Sequence, residues 1–487
     1  MASLSNSRPN IVFICSDQHS FRYTGYVGHR LVKTPNLDQI AEQGVVFSNA
    51  YCGSPVCVPG RACLMTGMYP SDCGSYCNST VWDGSHPTWG TRMSQAGYDC
   101  RATGKLDLNL DFEMGFQETD TSHGHCRRPD ITSLFRRPPC YRVGERPGVD
   151  GHPREDRHGD QKRAETALSF VNTTSRSLDK PWVHYVGFSQ PHPKFVAYRP
   201  YYDLYPLEDI DLPHVPNLED LHLVYQAMRH FKRVATPISE DRIRRARAGY
   251  YGMITELDEY IGQIWKALDR TGQLENTVFI YTSDHGEALG EHGMWYKNNL
   301  FENAAHIPLV MAGPGLPKGV KVETPVAHVD LVATLLDLAG AEGETELRGH
   351  SLLPVIEGLE SSHPGWTYTE SHSEGNVTGS FMVRKGDWKY IHFTWYDDLL
   401  FNLAEDPGEH HNRIADPGAQ EAHLELREIL YSQVDPEAVT RQAFEAQDKV
   451  LEGIAQGKAE AELAAVLEGR LGAGLARVMA SKFARGE

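Results

Sequence analysis

The chain has 487 residues, of which 40% are hydrophobic, 10% aromatic and 23% charged; that suits a large α/β domain with an appendage and excludes collagen-like, coiled-coil and largely disordered chains. Lys+Arg 47 against Asp+Glu 65 gives a formal net charge of −18, which argues against nucleic-acid partners and an anionic-membrane surface and points to small molecules. No run approaches the roughly 18 apolar residues of a membrane span, and the opening residues 1–10 lack a secretory pattern, so the expectation is a cytoplasmic protein.

In chain order, residues 10–16, 98–103, 182–188, 278–282 and 308–312 are short β-branched or aromatic runs that read as buried strands, and residues 36–43 and 242–268 carry helical spacing between them. The alternation predicts an α/β fold with a large, mostly parallel sheet sandwiched by helices. Residues 127–163 are rich in Pro, Arg, Asp and His and read as a long surface excursion, a kind of loop that often covers active sites. After Pro364 the polar-alternating strands 367–370, 379–384, 388–393 and 398–402 predict a small antiparallel sheet. From Ala419 onward Ala, Glu, Leu and Arg at helical spacing predict helices that pack on the chain's own body or, as a second expectation, support a homo-oligomer. The expected organisation is a catalytic α/β domain over 1–365, a small C-terminal antiparallel-sheet subdomain over 366–418 and a helical tail over 419–487. The nine cysteines (Cys15, Cys52, Cys57, Cys63, Cys73, Cys77, Cys100, Cys126 and Cys140) lie in the first 140 residues without paired C-x-x-C spacing, so ordinary buried thiols are expected rather than a disulfide framework.

In open α/β sheets the ligand crevice lies beyond the carboxyl ends of the strands. Strand 10–16 runs into Asp17-Gln18-His19, strand 278–282 into Ser283-Asp284-His285-Gly286-Glu287, strand 182–188 into Ser189-Gln190-Pro191-His192-Pro193, and strand 98–103 into Gly104-Lys105. Singly, an Asp there is more often a helix cap and a Lys a solvated charge. Together they bring oxygen ligands, imidazole and cation to one crevice. Cys57-Val58-Pro59-Gly60-Arg61, leading into Ala62-Cys63-Leu64-Met65-Thr66, adds a cysteine at a helix start; its plain reading is a buried thiol before a proline turn.

That segment, set between Ser54-Pro55-Val56 and Gly67-Met68-Tyr69-Pro70, resembles the signature of the formylglycine-dependent sulfatases, members of the alkaline phosphatase superfamily. Arg8-Pro9-Asn10-Ile11-Val12-Phe13 with Asp17-Gln18, Thr34-Pro35-Asn36-Leu37-Asp38, Ser283-Asp284-His285-Gly286-Glu287, Trp295-Tyr296-Lys297, Gly386-Asp387-Trp388-Lys389-Tyr390 and Glu405-Asp406-Pro407-Gly408-Glu409 are similar to that family in order and spacing, over roughly residues 8 to 415. The resemblance implies an alkaline-phosphatase-like fold and a sulfuric ester hydrolase acting on a small aryl or alkyl sulfate monoester. It implies that Cys57 is oxidised to formylglycine by a formylglycine-generating enzyme, and that one hydroxyl of the hydrated aldehyde attacks sulfur while the other re-forms the aldehyde and expels sulfate. It implies one divalent cation, Ca²⁺ first with Mn²⁺ or Mg²⁺ open, at Asp17, Gln18, Asp284, His285 and the modified Cys57. Arg61 would hold the diol and metal ligands, and Lys105, Lys297 and His192 would bind sulfate oxygens or protonate the leaving oxygen, all three partly solvated until the anion arrives. Asn78 would be a neutral donor to sulfate or a turn residue.

Three departures mark the chain. Gly60 stands where serine is usual; Gln18 and His285 stand where many members carry Asp and Asn, more like choline sulfatases and phosphonate monoester hydrolases; and Asp107 stands where a histidine is common in arylsulfatases. A phosphonate monoester or phosphodiester hydrolase with the same machinery is therefore the second reading, and a non-enzymatic metal-binding relative the third. Trp89, His123, His125 and the loop from Arg127 are candidates for the alcohol side, with core or surface as their plainer places.

Overall fold

The computed structural model describes residues 8–109, 111–127, 145–157, 159–341, 347–456 and 460–471, with 134, 458, 476–477 and 480–481 besides. Eight strands build the main sheet: β1 (Asn10–Ser16), β2 (Val45–Phe47), β3 (Asp99–Lys105), β4 (Gln117–Ser122), β5 (Trp182–Gly187), β6 (Thr277–Ser283), β7 (Leu309–Ala312) and β8 (Val320–Val322). Their order is β8-β2-β7-β6-β1-β5-β3-β4. Every neighbouring pair is parallel except that β7 runs antiparallel to both β6 and β2.

The strands β1, β5, β6 and β7 are buried and largely apolar on both faces because helices cover both. Ile11, Phe13 and Cys15 of β1 face the layer of α1 (Cys57–Thr66), α2 (Trp89–Gln95) and α3 (His328–Ala339), packing with Leu64, Trp89 and Leu335. The alternate residues Val12 and Ile14 face Leu37 and Ile40 of the helix Pro35–Glu42, Ala164 and Ala167 of the helix Asp160–Asn172, and Leu257, Ile261 and Ile264 of the long helix Glu240–Arg270. Trp89, one candidate for the alcohol side, is fully buried between Phe13, Phe116 and Tyr185, so it belongs to this core.

Register decides what the strands deliver. Ser16 pairs with Ser283, Cys15 with Gly187, and Gly104 with Gly187, so Asp17, Asp284, Phe188 and Lys105 leave four adjacent strands at one level. A slip of one residue would turn every apolar side chain to the wrong face, which pins this alignment. Gly104 makes the last pairing possible: its φ is 87°, and a Cβ there would sit 2.1 Å from the Gly187 carbonyl oxygen.

The C-terminal part forms the predicted antiparallel sheet, β9 (Trp366–Ser371), β10 (Ser380–Lys385), β11 (Trp388–Phe393) and β12 (Leu399–Asn402), paired in chain order. One face, through Met382, Ile391 and Phe393, packs on Tyr225 and Phe301 of the main body. The other, through Phe381, Val383 and Tyr390, is covered by Leu426 and Leu430 of α4 (Gln420–Gln433) and Val439 and Ala443 of α5 (Pro436–Ala455). The helical tail thus packs on its own chain. The eight described cysteines are free, and no described helix is long and apolar enough to cross a membrane.

Phe13 meets Tyr185 edge-on at 5.4 Å and Trp89 at 5.8 Å between ring centroids. Phe13→Ala should therefore cost about 3–5 kcal/mol in chemical denaturation, whereas Leu223→Ala, at a site 63% exposed, should stay within about 0.5 kcal/mol of wild type.

Candidate functional site

Cys57 is the first residue of α1, and its thiol is fully buried at the level where the four strands end. Around Sγ stand Lys297 Nζ at 2.6 Å, His285 Nε2 at 3.4 Å, Lys105 Nζ at 3.6 Å and Asp17 Oδ1 at 3.9 Å. Arg61, one turn along the same helix face, donates from Nε to Asp284 Oδ2 at 2.9 Å and from Nη1 to the Lys105 carbonyl and Tyr185 hydroxyl, both at 2.8 Å. Gly60 lets the helix seat this closely, since a Cβ there would lie 2.7 Å from the Ser54 carbonyl oxygen and 3.0 Å from that of Asp284.

Asp17, Cys57, Asp284 and His285 place one ligand atom each within 4.8 Å of one another, all buried. His285 Nδ1 donates to the Gly286 carbonyl at 3.0 Å, which leaves the Nε2 lone pair facing the carboxylates of Asp284 at 3.5 Å and Asp17 at 3.7 Å. Gln18 is also buried, and its Oε1 has no hydrogen-bond partner among the described residues. An orphaned carbonyl oxygen, two carboxylates and an imidazole lone pair fit a divalent cation.

The charges press on one another. Burial and Cys57 push the Asp17 carboxyl up, but Lys105, His192 and Lys297 outweigh them and hold it below the usual carboxylate range. Burial and then Asp17 push Asp284 the other way, the behaviour of two acids sharing one dry site. His285 would be driven down by burial, and Asp284 reverses this. Lys105 and Lys297 remain cations against the pull of burial, held by Asp17 and Cys57 among others.

The expectation of partly solvated cations fails for Lys105 and Lys297, which are 8% and 6% exposed. Their charges are met inside the protein: Lys105 Nζ bonds Asp17 Oδ2 and stands 3.2 Å from Asp107, and Lys297 meets Cys57. His192 alone is half-buried; its Nδ1 donates to the Pro193 carbonyl at 2.7 Å, leaving Nε2 to accept from Lys297 Nζ at 3.4 Å. Asn78 Oδ1 accepts from the Val58 backbone N–H at 3.1 Å, while Nδ2 donates to Glu374 Oε1 at 2.8 Å, so it serves as a side-chain cap for α1 with one Nδ2 hydrogen left over. His123 is tied to the Leu108 carbonyl and Glu118, each at 3.0 Å. The His125 side chain and most of the loop from Arg127 lie outside the described residues.

Sequence reasoning missed three contributors. Tyr185 is an aromatic in a buried strand whose hydroxyl holds Arg61. Lys232 donates to the carbonyls of Trp295, at 3.0 Å, and Lys297, fixing the loop that bears Lys297. Glu374, buried with φ 54°, faces Asn78. The first carries a readable signal, a hydroxyl in an apolar run; the other two sit in segments with no motif.

A second group, Asp330, His350 and His363, also falls within 4.8 Å, but its hydrogen bonds describe a helix cap. Asp330 accepts from the backbone of Ala327 at 2.7 Å and His350 at 2.8 Å. Gly365 N–H donates to His363 Nδ1 at 3.1 Å, which puts the ring proton on Nε2, 3.4 Å from Asp330, and leaves that atom no lone pair for a metal.

Comparison with known proteins adds to this geometry. The sulfatase family model matches residues 9–341, and that of the C-terminal part of N-sulphoglucosamine sulphohydrolase matches residues 290–435. Arylsulfatase K of Danio rerio is 32% identical over 462 residues, covering 90% of this chain and 86% of that protein. The choline-sulfatase of Rhizobium meliloti is 32% identical over 438 residues, covering 85% and 84%. The crystal structure of the phosphonate monoester hydrolase of Agrobacterium radiobacter superposes with a TM-score of 0.73 at 27% identity, covering 87% of this chain and 95% of that one.

Buried neutral histidines weaken this scaffold in acid. His328, whose Nε2 donates to the Ser283 carbonyl at 2.9 Å beside Asp284, is pushed by burial down to about 4, and His184 to about 3, from an ordinary 6.5. Between about pH 6.5 and 4 the unfolded chain takes up protons that the folded one refuses, so these groups leave stability intact above that window and lower it as pH falls through it. The melting temperature of metal-stripped protein should drop steadily from pH 7 to 4.5, and less steeply for His184→Gln; a flat profile would contradict the assignment.

Proposed function

Because the chain belongs to the sulfatase family, whose model spans residues 9–341, and is a sulfuric ester hydrolase, we propose that it cleaves a small aryl or alkyl sulfate monoester with residue 57 as nucleophile. The observation that carries this reading is the convergence of Lys297, Lys105, His285 and Asp17 on the Cys57 side chain at the start of a helix. Sulfate esters repel nucleophiles with their own anionic oxygens, so an effective site must join positive charge to an activated oxygen. The activated oxygen is that of formylglycine hydrate, formed from Cys57 by the oxidation general to the family.

Asp17, Gln18, Asp284 and His285 would hold a divalent cation, which would supply positive charge at the reacting oxygens and make the nucleophilic hydroxyl more acidic. Three oxygen donors against one imidazole suit Ca²⁺ ahead of Mn²⁺ or Mg²⁺. The remaining work falls to the chain itself. Arg61 fixes Asp284 and, through Tyr185 and the Lys105 carbonyl, joins helix to sheet. Lys105 and Lys297 grip the sulfate oxygens, assisted by the amino end of α1 and the remaining Nδ2 hydrogen of Asn78. His192, whose Nδ1 donates to the Pro193 carbonyl and whose Nε2 accepts from Lys297 in the free protein, takes up a second proton on Nε2 and passes it to the leaving oxygen.

The neutral amide and imidazole at positions 18 and 285, together with the similarity to the Agrobacterium radiobacter enzyme, favour phosphonate monoesters or phosphodiesters as the second reading. Parallel kcat/KM values for phenyl sulfates and phenyl phosphonate esters decide the order; a preference for the phosphonate reverses it.

Protein from a host with the maturing enzyme should carry an aldehyde at residue 57 by peptide mass, and Cys57→Ala should lose turnover. An unmodified thiol in a fully active sample would overturn the mechanism. Lys297→Ala should lose about 10² to 10³ in kcat. With aryl sulfates graded by phenol acidity, His192→Ala should lose most on the poorest leaving groups; an equal loss across the series would remove its acid role.

A further inference from the structure

Resting on the cation reading above, we propose that Glu287 is a positioning residue that turns the Gln18 side-chain carbonyl toward the bound cation and ties that ligand to the Lys297 loop. Glu287 is fully buried. Its Oε2 accepts from Gln18 Nε2, and its Oε1 accepts from the backbone N–H groups of Leu289 at 2.8 Å and Tyr296 at 2.7 Å. A glutamine amide is nearly symmetric in shape, so its neighbours decide which end faces which way. Both carboxylate oxygens of Glu287 accept, so beside it Gln18 presents its NH₂ and keeps its oxygen for the other side. That oxygen has no partner among the described residues although the side chain is buried.

The pairing also accounts for the neutral residue at position 18. An aspartate or glutamate there would set two carboxylates against each other in a dry pocket, whereas the amide takes the charge of Glu287 as a hydrogen bond and still offers a ligand oxygen. The other half of the same carboxylate restrains Tyr296, which holds a left-handed φ of 64° immediately before Lys297. One side chain thus links the cation's amide ligand to the cation that faces residue 57.

The test is calorimetric titration of MnCl₂ and CaCl₂ into EDTA-stripped protein, independent of turnover. Glu287→Gln keeps size and one acceptor but sets NH₂ against NH₂, so the Gln18 amide turns over and presents NH₂ to the cation. Affinity should fall by about 10- to 100-fold. The double variant Gln18→Glu/Glu287→Gln exchanges the two chemistries, returns a carboxylate facing an amide and frees one oxygen for the cation; its affinity should return to within about fivefold of wild type or exceed it. Glu287→Asp, which keeps the charge but draws it back by one methylene, should lose an intermediate amount and supplies the reading if Glu287→Gln does not fold. Wild-type affinity in Glu287→Gln or Glu287→Asp, or a double variant no better than Glu287→Gln, would overturn the inference while leaving the cation site standing. Wild-type protein that binds neither ion would overturn the cation reading and this inference with it.

Discussion

The site depends on the alignment of β1 with β6, which brings Asp17 and Asp284 out of adjacent strand ends into a space sealed from water. Two acids cannot both stay ionised there unaided, and the rest of the constellation can be understood as the answer to that problem. Arg61 lies against Asp284, Lys105 against Asp17, and Lys297 beside Cys57. Each cation is in turn too costly to bury without its acid. The set therefore stands or falls together, and removing one member leaves its partner as an uncompensated buried charge. The divalent cation proposed for this site would add positive charge to the same balance.

The helix that begins at Cys57 is fastened from three sides. Arg61 ties it to Asp284 and Tyr185, Asn78 caps it at Val58, and the absent side chain of Gly60 lets it lie against the backbone of Ser54 and Asp284. These restraints hold a side chain at a helix start, where unpaired N–H groups and the helix dipole favour anions, against the ends of a rigid sheet. A side chain at position 60 would need the helix to move outward, so the glycine and the close seat belong together.

Much of this was legible in the sequence, for a physical reason. Strands buried on both faces are continuous apolar runs, and β1 comes out at the boundaries its composition marks, as does β11 of the small sheet from its polar alternation. The polar sequels of β1 and β6, Asp17-Gln18 and Asp284-His285, stand out because nothing in a core needs them. The antiparallel course of β7 was hidden, since a fully buried strand looks alike in either direction. So was the burial of Lys105 and Lys297: one charge does not announce its partner, and Asp17 lies 88 residues from Lys105 in the chain. Lys232 and Glu374 escaped for a related reason, because they act on backbone and amide groups of segments distant in sequence.

The C-terminal helices bear on the site through what they support. Gln447 of α5 donates to the His372 carbonyl at 3.1 Å, two residues before Glu374, and the Tyr76 hydroxyl reaches Gln442 at 3.5 Å, two residues before Asn78. Cys77 itself packs in a cluster with Phe231, Leu451 and Leu467. The two segments that meet in the Asn78–Glu374 hydrogen bond are thus each backed by the tail, and that bond sits behind the cap of the helix carrying Cys57. A tail removed from this position would expose the apolar backs of both segments and loosen the cap before it touched Asp17, Gln18, Asp284 or His285. Geometry at residue 57 is therefore set by the whole chain, from the first strand, which supplies Asp17, to helices more than 370 residues further on that hold Asn78 and Glu374 in place.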